Sequence, residues 1–156
     1  MIYFDLDGVI RDLCKVTPYY PQKWDSTFGG LTLVEYFNKY KHLLIEAPAT
    51  EYFSTIEKYF AEEITIITSQ QKGWEIFAEK WLEIYFIDTK VNIIYDTEKL
   101  YLLKNNDFLV EDYPKYNDYS QIVLIDRPYN REVVSPYLRI HSPQELEIFF
   151  KRSMNE

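Results

Sequence analysis

The chain has 156 residues, 47% hydrophobic and 27% charged, which suits one folded domain and excludes a disordered chain. Its formal net charge of -8 would repel a phosphate backbone, so extended nucleic-acid binding is disfavoured, while a small phosphorylated ligand held through a metal stays compatible. A single cysteine, Cys14, excludes an internal disulfide and a multi-cysteine zinc site, and no run approaches the ~18 apolar residues of a membrane span. The first residues form a strand-like run with acids at positions 5 and 7, unlike a signal peptide, so a soluble, cytoplasmic protein is expected. Aromatic residues make up 18%, including 15 Tyr and 10 Phe, more than a core of this size needs; some rings should lie at the surface or line a pocket.

In chain order, Met1 to Phe4 is a short apolar run that halts at Asp5, and Gly8 gives the backbone room to turn. Residues 9–20 suggest a loop. Beyond the Gly29-Gly30 break, Leu33, Tyr36, Phe37 and Tyr40 recur at helical spacing. Pro48 and Thr50 open a second helix carrying Tyr52, Phe53, Ile56, Tyr59 and Phe60, with Thr50 as the expected N-cap. Ile64 to Ile67 is a strand ending at Thr68-Ser69, and an amphipathic helix follows from about Lys72 to Tyr85. Val91 to Tyr95 is the next strand, Leu100 to Leu103 a short helix, and Asp107 to Val110 a strand ending at Glu111-Asp112. Ile122 to Ile125 ends at Asp126, and Tyr137 to Ile140 is the last strand. Ser142 then caps a helix over Pro143 to Lys151, with Glu145 at the capping-box position.

Near-continuous apolar strands alternating with helices predict an α/β fold: a Rossmann-like parallel sheet with helices on both faces. The segment at about 13–48 falls outside the alternation and reads as a small helical cap insert within a single domain spanning 1–156. In an open parallel sheet ligands bind beyond the carboxyl ends of the strands. The polar residues there are Asp5 and Asp7, Thr68 and Ser69, Glu111 and Asp112, and Asp126. Several carboxylates converging in one cleft repel each other unless a cation sits among them, and oxygen donors without nitrogen or sulfur point to Mg²⁺ rather than zinc.

The run Asp5-Leu6-Asp7-Gly8-Val9 resembles the first motif of the haloacid dehalogenase-like (HAD) phosphohydrolases. Thr68 after a β-branched strand, Lys99 before the fourth strand and Glu111-Asp112 after Phe108-Leu109-Val110 are similar to the second, third and fourth motifs, in that order. The resemblance covers the chain outside the insert. It implies that Asp5 is a covalent nucleophile and Asp7 a general acid–base. It also implies that Thr68 bonds a phosphoryl oxygen and Lys99 neutralises charge. Mg²⁺ would be held by Asp5, Asp112 and the backbone carbonyl of Asp7. The fourth motif is commonly Asp-Asp, so Glu111 is expected behind the metal rather than on it. Lys104 competes with Lys99, which has the better spacing.

Within that superfamily, Ile66-Ile67-Thr68-Ser69, Lys80-Trp81-Leu82-Glu83 with Tyr85-Phe86, Leu109-Val110-Glu111-Asp112 and Asp126-Arg127-Pro128-Tyr129-Asn130 look like the 5'(3')-deoxyribonucleotidases and their bacterial and phage relatives. A nucleoside monophosphate is the implied substrate, with a sugar phosphate or another small metabolite as the alternative. A third reading is a HAD-like domain that binds without turnover. Gly8, Ser69 and Arg11 are expected at the substrate, although a surface position is the simpler account of Arg11. Thr68-Ser69 also fits a helix cap, and Asp126 a turn initiator. Tyr19, Tyr20, Trp24 and Phe28 could stack on a base or form the insert's own core. Cys14 reads as packing, and His42 and His141 have no partner spacing. A small insert leaves the cleft open, with room for a second copy to close it as a homo-oligomer.

Overall fold

Runs rich in β-branched residues form strands here, and the central ones are buried on both sides while the edge run Lys90–Tyr95 is only half-buried. Ile64, Ile66 and Ile67, and all of Ile122–Ile125, are almost fully inaccessible. The computed structural model describes residues 1–116, 119–132 and 138–154. Among them, six strands make one all-parallel sheet: β1 (Ile2–Phe4), β2 (Glu63–Thr68), β3 (Lys90–Tyr95), β4 (Phe108–Glu111), β5 (Ile122–Ile125) and β6 (Leu138–Ile140). Their order is β3-β2-β1-β4-β5-β6, the Rossmann-like arrangement, so the α/β fold expected from the alternation is the fold observed. The order reverses between β1 and β4, which pair Ile2 with Phe108, Tyr3 with Leu109 and Phe4 with Val110. Asp5 and Asp112 therefore leave neighbouring strands at the switch point.

The helices are α1 (Leu33–Lys39), α2 (Leu43–Glu46), α3 (Phe53–Tyr59), α4 (Glu75–Tyr85) and α5 (Pro143–Met154). Helical cover lies on both faces but is unequal. On one face Phe4, Ile66, Val110, Val123 and Ile125 pack under Ile56 of α3, Trp81 and Leu82 of α4, and Leu146 and Phe150 of α5. On the other, Leu109, Ile122 and Leu124 are covered by Leu100 and Tyr116, which sit on the short 3-10 turns Lys99–Leu102 and Pro114–Tyr116.

The insert has its own apolar cluster of Leu13, Phe37, Leu44 and Ala47, closed by Trp74 from the sheet domain. Helix α1 starts at Thr32 with a reciprocal capping box to Glu35. Helix α2 is too short for periodicity to reveal. One expected helix start moves, and one expected cap changes a partner. Helix α3 begins at Phe53 rather than beside Thr50, because the Thr50 hydroxyl is used one turn earlier: it accepts the Tyr52 N–H and donates to the Val9 carbonyl at 2.5 Å. At α5, Ser142 accepts the Glu145 N–H as expected, but the Glu145 carboxylate reaches past it to the N–H of His141. Tyr137, expected in the last strand, lies outside the described residues. No helix among the described residues is long and apolar enough to cross a membrane.

Candidate active site

The turn after β1 sets the geometry. The N–H groups of Ile10 and Arg11 both return to the Leu6 carbonyl at 2.9 Å, and Gly8 closes the turn with φ +83°. A side chain is excluded there twice over: the conformation is left-handed, and a Cβ would collide with the Asp112 carboxylate and sit 2.7 Å from the Tyr129 hydroxyl. Gly8 thus lets Asp112 close against the first turn.

Lys99 is buried and donates to both Asp5 Oδ1 (2.7 Å) and Glu111 Oε2 (2.8 Å). Lys104, its competitor, is exposed. Glu111 turns its other oxygen back to accept the N–H groups of Asp112 (3.0 Å) and Tyr113 (3.3 Å). This double duty accounts for Glu in place of Asp: the longer side chain reaches Lys99 and its own following turn together. Asp112 receives the Tyr129 hydroxyl on Oδ2, while Asn130 donates to the Asp112 and Ile125 carbonyls at 3.0 and 2.8 Å. Arg127 donates to the Gly8 carbonyl through Nε and Nη2 and pairs with Glu51, tying the turn after β5 to the turn after β1.

Among the described residues, carboxylate oxygens of Asp5, Glu111 and Asp112 lie within 4.8 Å of one another, all three buried. Burial first, and then the Glu111 charge, pushes Asp5 well above its ordinary value, against the pull of Lys99. Burial also raises Glu111, and burial followed by the Asp5 charge lifts Asp112 to about 7. Burial alone would lower Lys99, but its two carboxylate partners hold it above the usual lysine value, so it stays an ammonium. Ionised together, three carboxylates against one ammonium would leave an excess of negative charge in a buried place, which is why these groups hold their protons more tightly than usual. An oxygen-only donor set with that charge fits a hard divalent cation, with Asp5 and Asp112 presenting carboxylates and Glu111 committed to Lys99 and the backbone. The Asp7 side chain is not part of this cluster.

The cluster forms the floor of a cleft of about 650 Å³, lined also by Asp7, Ser69, Trp74, Tyr113, Tyr129 and the insert's Trp24 and Phe28. Trp24 is half exposed and meets Tyr113 and Tyr129 edge-on, with centroids 5.0 and 5.5 Å apart. Phe28 is buried against Tyr36, so it serves the insert's core while also lining the cleft. Tyr19 leans on Phe28.

The remaining expected residues are distributed differently. Asp7 lines the cleft, with its side chain 26% exposed. Ser69 lines it too, donating to the Asp96 carbonyl at 2.9 Å. Thr68, at the tip of β2, is buried, and its hydroxyl accepts from Gln70 at 2.8 Å. Arg11 is neither at the surface nor turned to the cleft. It is fully buried, bonded to Asp7 (2.6 and 3.0 Å) and the Leu44 carbonyl (2.9 Å), because an ionised guanidinium inside the fold needs a carboxylate partner. Asp126 pairs with Arg131 and Arg139 beside β6, away from the cleft. Gln70 and Tyr113 carry no sequence signal beyond their places just after Thr68 and Asp112, whereas Arg127 lies within the Asp126–Asn130 turn already singled out.

Comparison with known protein families finds no family model that matches the chain. No curated protein matches it either.

Proposed function

We propose that the chain is a Mg²⁺-dependent phosphomonoester hydrolase of the HAD-like superfamily that works through an aspartyl-phosphate on Asp5, with a nucleoside monophosphate as substrate. The observation that carries this reading is the meeting of Asp5, Lys99 and Asp112 at the switch point of the sheet. A buried carboxylate paired with an ammonium and flanked by further carboxylates is the equipment for phosphoryl transfer to an aspartate.

In the first half-reaction an Asp5 oxygen attacks phosphorus, the bond to the leaving oxygen breaks, and that oxygen keeps the electron pair and takes a proton from Asp7. In the second, Asp7 takes a proton from water, the water oxygen attacks phosphorus, and the bond to Asp5 breaks to release phosphate. Lys99 holds the nucleophile and offsets charge on the phosphoryl group. Mg²⁺, held by Asp5 and Asp112 when bound, would neutralise charge on the phosphate. The ring-lined cleft favours a substrate with a flat apolar part, which supports a nucleoside over a sugar phosphate. The single buried thiol, Cys14, suits a reducing, cytoplasmic setting.

The test is phosphate release from nucleoside, deoxynucleoside and sugar monophosphates, with Mg²⁺ and with chelator, beside Asp5→Asn. Release confined to nucleotides, dependent on Mg²⁺ and lost in Asp5→Asn, is expected. Release from sugar phosphates alone would keep the chemistry and discard the substrate. Mg²⁺ binding without release from anything would leave a binding module.

A further inference from the structure

The Asp7 carboxylate is unusual in how completely it is gripped. Arg11 donates Nε to Oδ1 at 2.6 Å and Nη2 to Oδ2 at 3.0 Å, a two-pronged pair. Gln70 adds Nε2 to Oδ2 at 2.9 Å and anchors that same amide nitrogen on the Thr68 hydroxyl at 2.8 Å. Arg11 is in turn fixed by the Leu44 carbonyl of α2 and by complete burial. The Gln70 carbonyl oxygen faces the guanidinium at 3.4 Å, so the amide has one sensible orientation: turned over, it would set oxygen against carboxylate.

The two oxygens are therefore unequal. A carboxylate oxygen has two lone pairs. Both are engaged on Oδ2, by Arg11 and Gln70, whereas Oδ1 accepts one bond among the described residues. The side chain is a quarter exposed and lines the cleft, so a reacting oxygen can come to it. We propose that Arg11 and Gln70 are positioning residues that saturate Oδ2 of Asp7 and leave Oδ1 as the atom that gives and takes the proton. Resting on the phosphatase reading, this assigns the leaving-group proton to Oδ1 in the first half-reaction and returns it to Oδ1 from water in the second. Its consequence is selective. Gln70 matters most where the departing oxygen needs a proton, as in an alkyl monophosphate, and least where the leaving group is a stable anion, as in an aryl phosphate.

The experiment compares kcat/KM, which reports steps through departure of the leaving group, for a nucleoside monophosphate and for p-nitrophenyl phosphate. Gln70→Met keeps the side-chain length and removes the donor on a half-buried loop residue, so folding should survive; Gln70→Glu puts a charge against Asp7. Arg11→Lys is run alongside, with thermal unfolding as a folding check. The ratio of the two kcat/KM values should fall about 10-fold in Gln70→Met and further in Gln70→Glu, a fraction of the ~10²–10⁴ that general acid–base catalysis contributes. Rescue toward the wild-type ratio is expected in Gln70→Ala supplied with acetamide in the buffer, which restores the deleted amide. An unchanged ratio in a folded Gln70→Met, with both substrates slowed alike, would overturn the assignment while leaving the phosphatase reading intact. Wild-type protein that hydrolyses neither substrate would overturn that reading itself, and the assignment with it.

Discussion

Asp112 is positioned by three contacts from two turns: the Tyr129 hydroxyl on Oδ2, the Asn130 amide on its backbone carbonyl, and the bare Cα of Gly8 closing against its carboxylate. Gly8→Ala should therefore act at a distance, displacing Asp112 rather than removing a ligand. Expected outcomes are a loss of phosphatase activity of about 10²-fold or more, on the scale of a 1 Å misplacement, and a diminished thermal shift on adding Mg²⁺. Wild-type Mg²⁺ response and turnover in this variant would show that the close approach has no role. Legibility at this scale divides by cause. Asp5 and Asp112 were readable because each follows a strong strand signal, whereas Lys99 was singled out by what the resemblance to the third motif implies. Arg11 was not readable, since nothing local says that its partner is Asp7 four residues back rather than solvent. Glu111 was expected to stand behind a metal; the structure shows its carboxylate bonded to Lys99 and to two N–H groups, partners that its sequence position alone did not reveal.

Among the elements, α4 fixes the insert to the sheet. Trp81 is fully buried, stacks on Tyr85 at 4.0 Å, and donates its indole N–H to the Ala47 carbonyl at 2.7 Å, just beyond α2. Trp81→Phe keeps most of the apolar surface but orphans that buried carbonyl, so a loss of about 1–3 kcal/mol is expected in urea unfolding. A cost near zero would mean that the bond is replaced by water. The strands were legible because their β-branched runs are uninterrupted, and α1 and α4 because their apolar spacing is helical. Helix α2 was hidden by its length, and the start of α3 by Thr50, which has the chemistry of a cap but uses it on the turn before the helix.

For the molecule as a whole, the buried acids tie stability to pH and, on the proposed reading, to Mg²⁺ as well. In the metal-free protein Asp112 holds its proton up to about 7, against an ordinary value of 3.8. Between these values the unfolded chain has lost a proton that the folded chain keeps, so this group makes stability fall as pH rises and then level off. Asp5 and Glu111 shift in the same direction. Mg²⁺, bound as proposed, would favour the ionised carboxylates and work against this loss. The gap in Tm between Mg²⁺ and chelator should widen from pH 3.8 to about pH 7, as followed by calorimetry; a gap independent of pH would sink the account. The parallel order was readable from the alternation, but which strands would be neighbours was not, because β1 and β4 are brought together by pairing rather than by proximity in the chain. That pairing also governs when the site can exist. Lys99 lies 94 residues from Asp5, and Arg127 lies 119 from Gly8, so both links close large loops whose entropy is lost before any contact repays it. During synthesis Asp5 and Asp7 precede β4 and β5, so they acquire their surroundings only once those strands have been made and docked. The carboxylate cluster therefore depends on strand pairing across most of the chain.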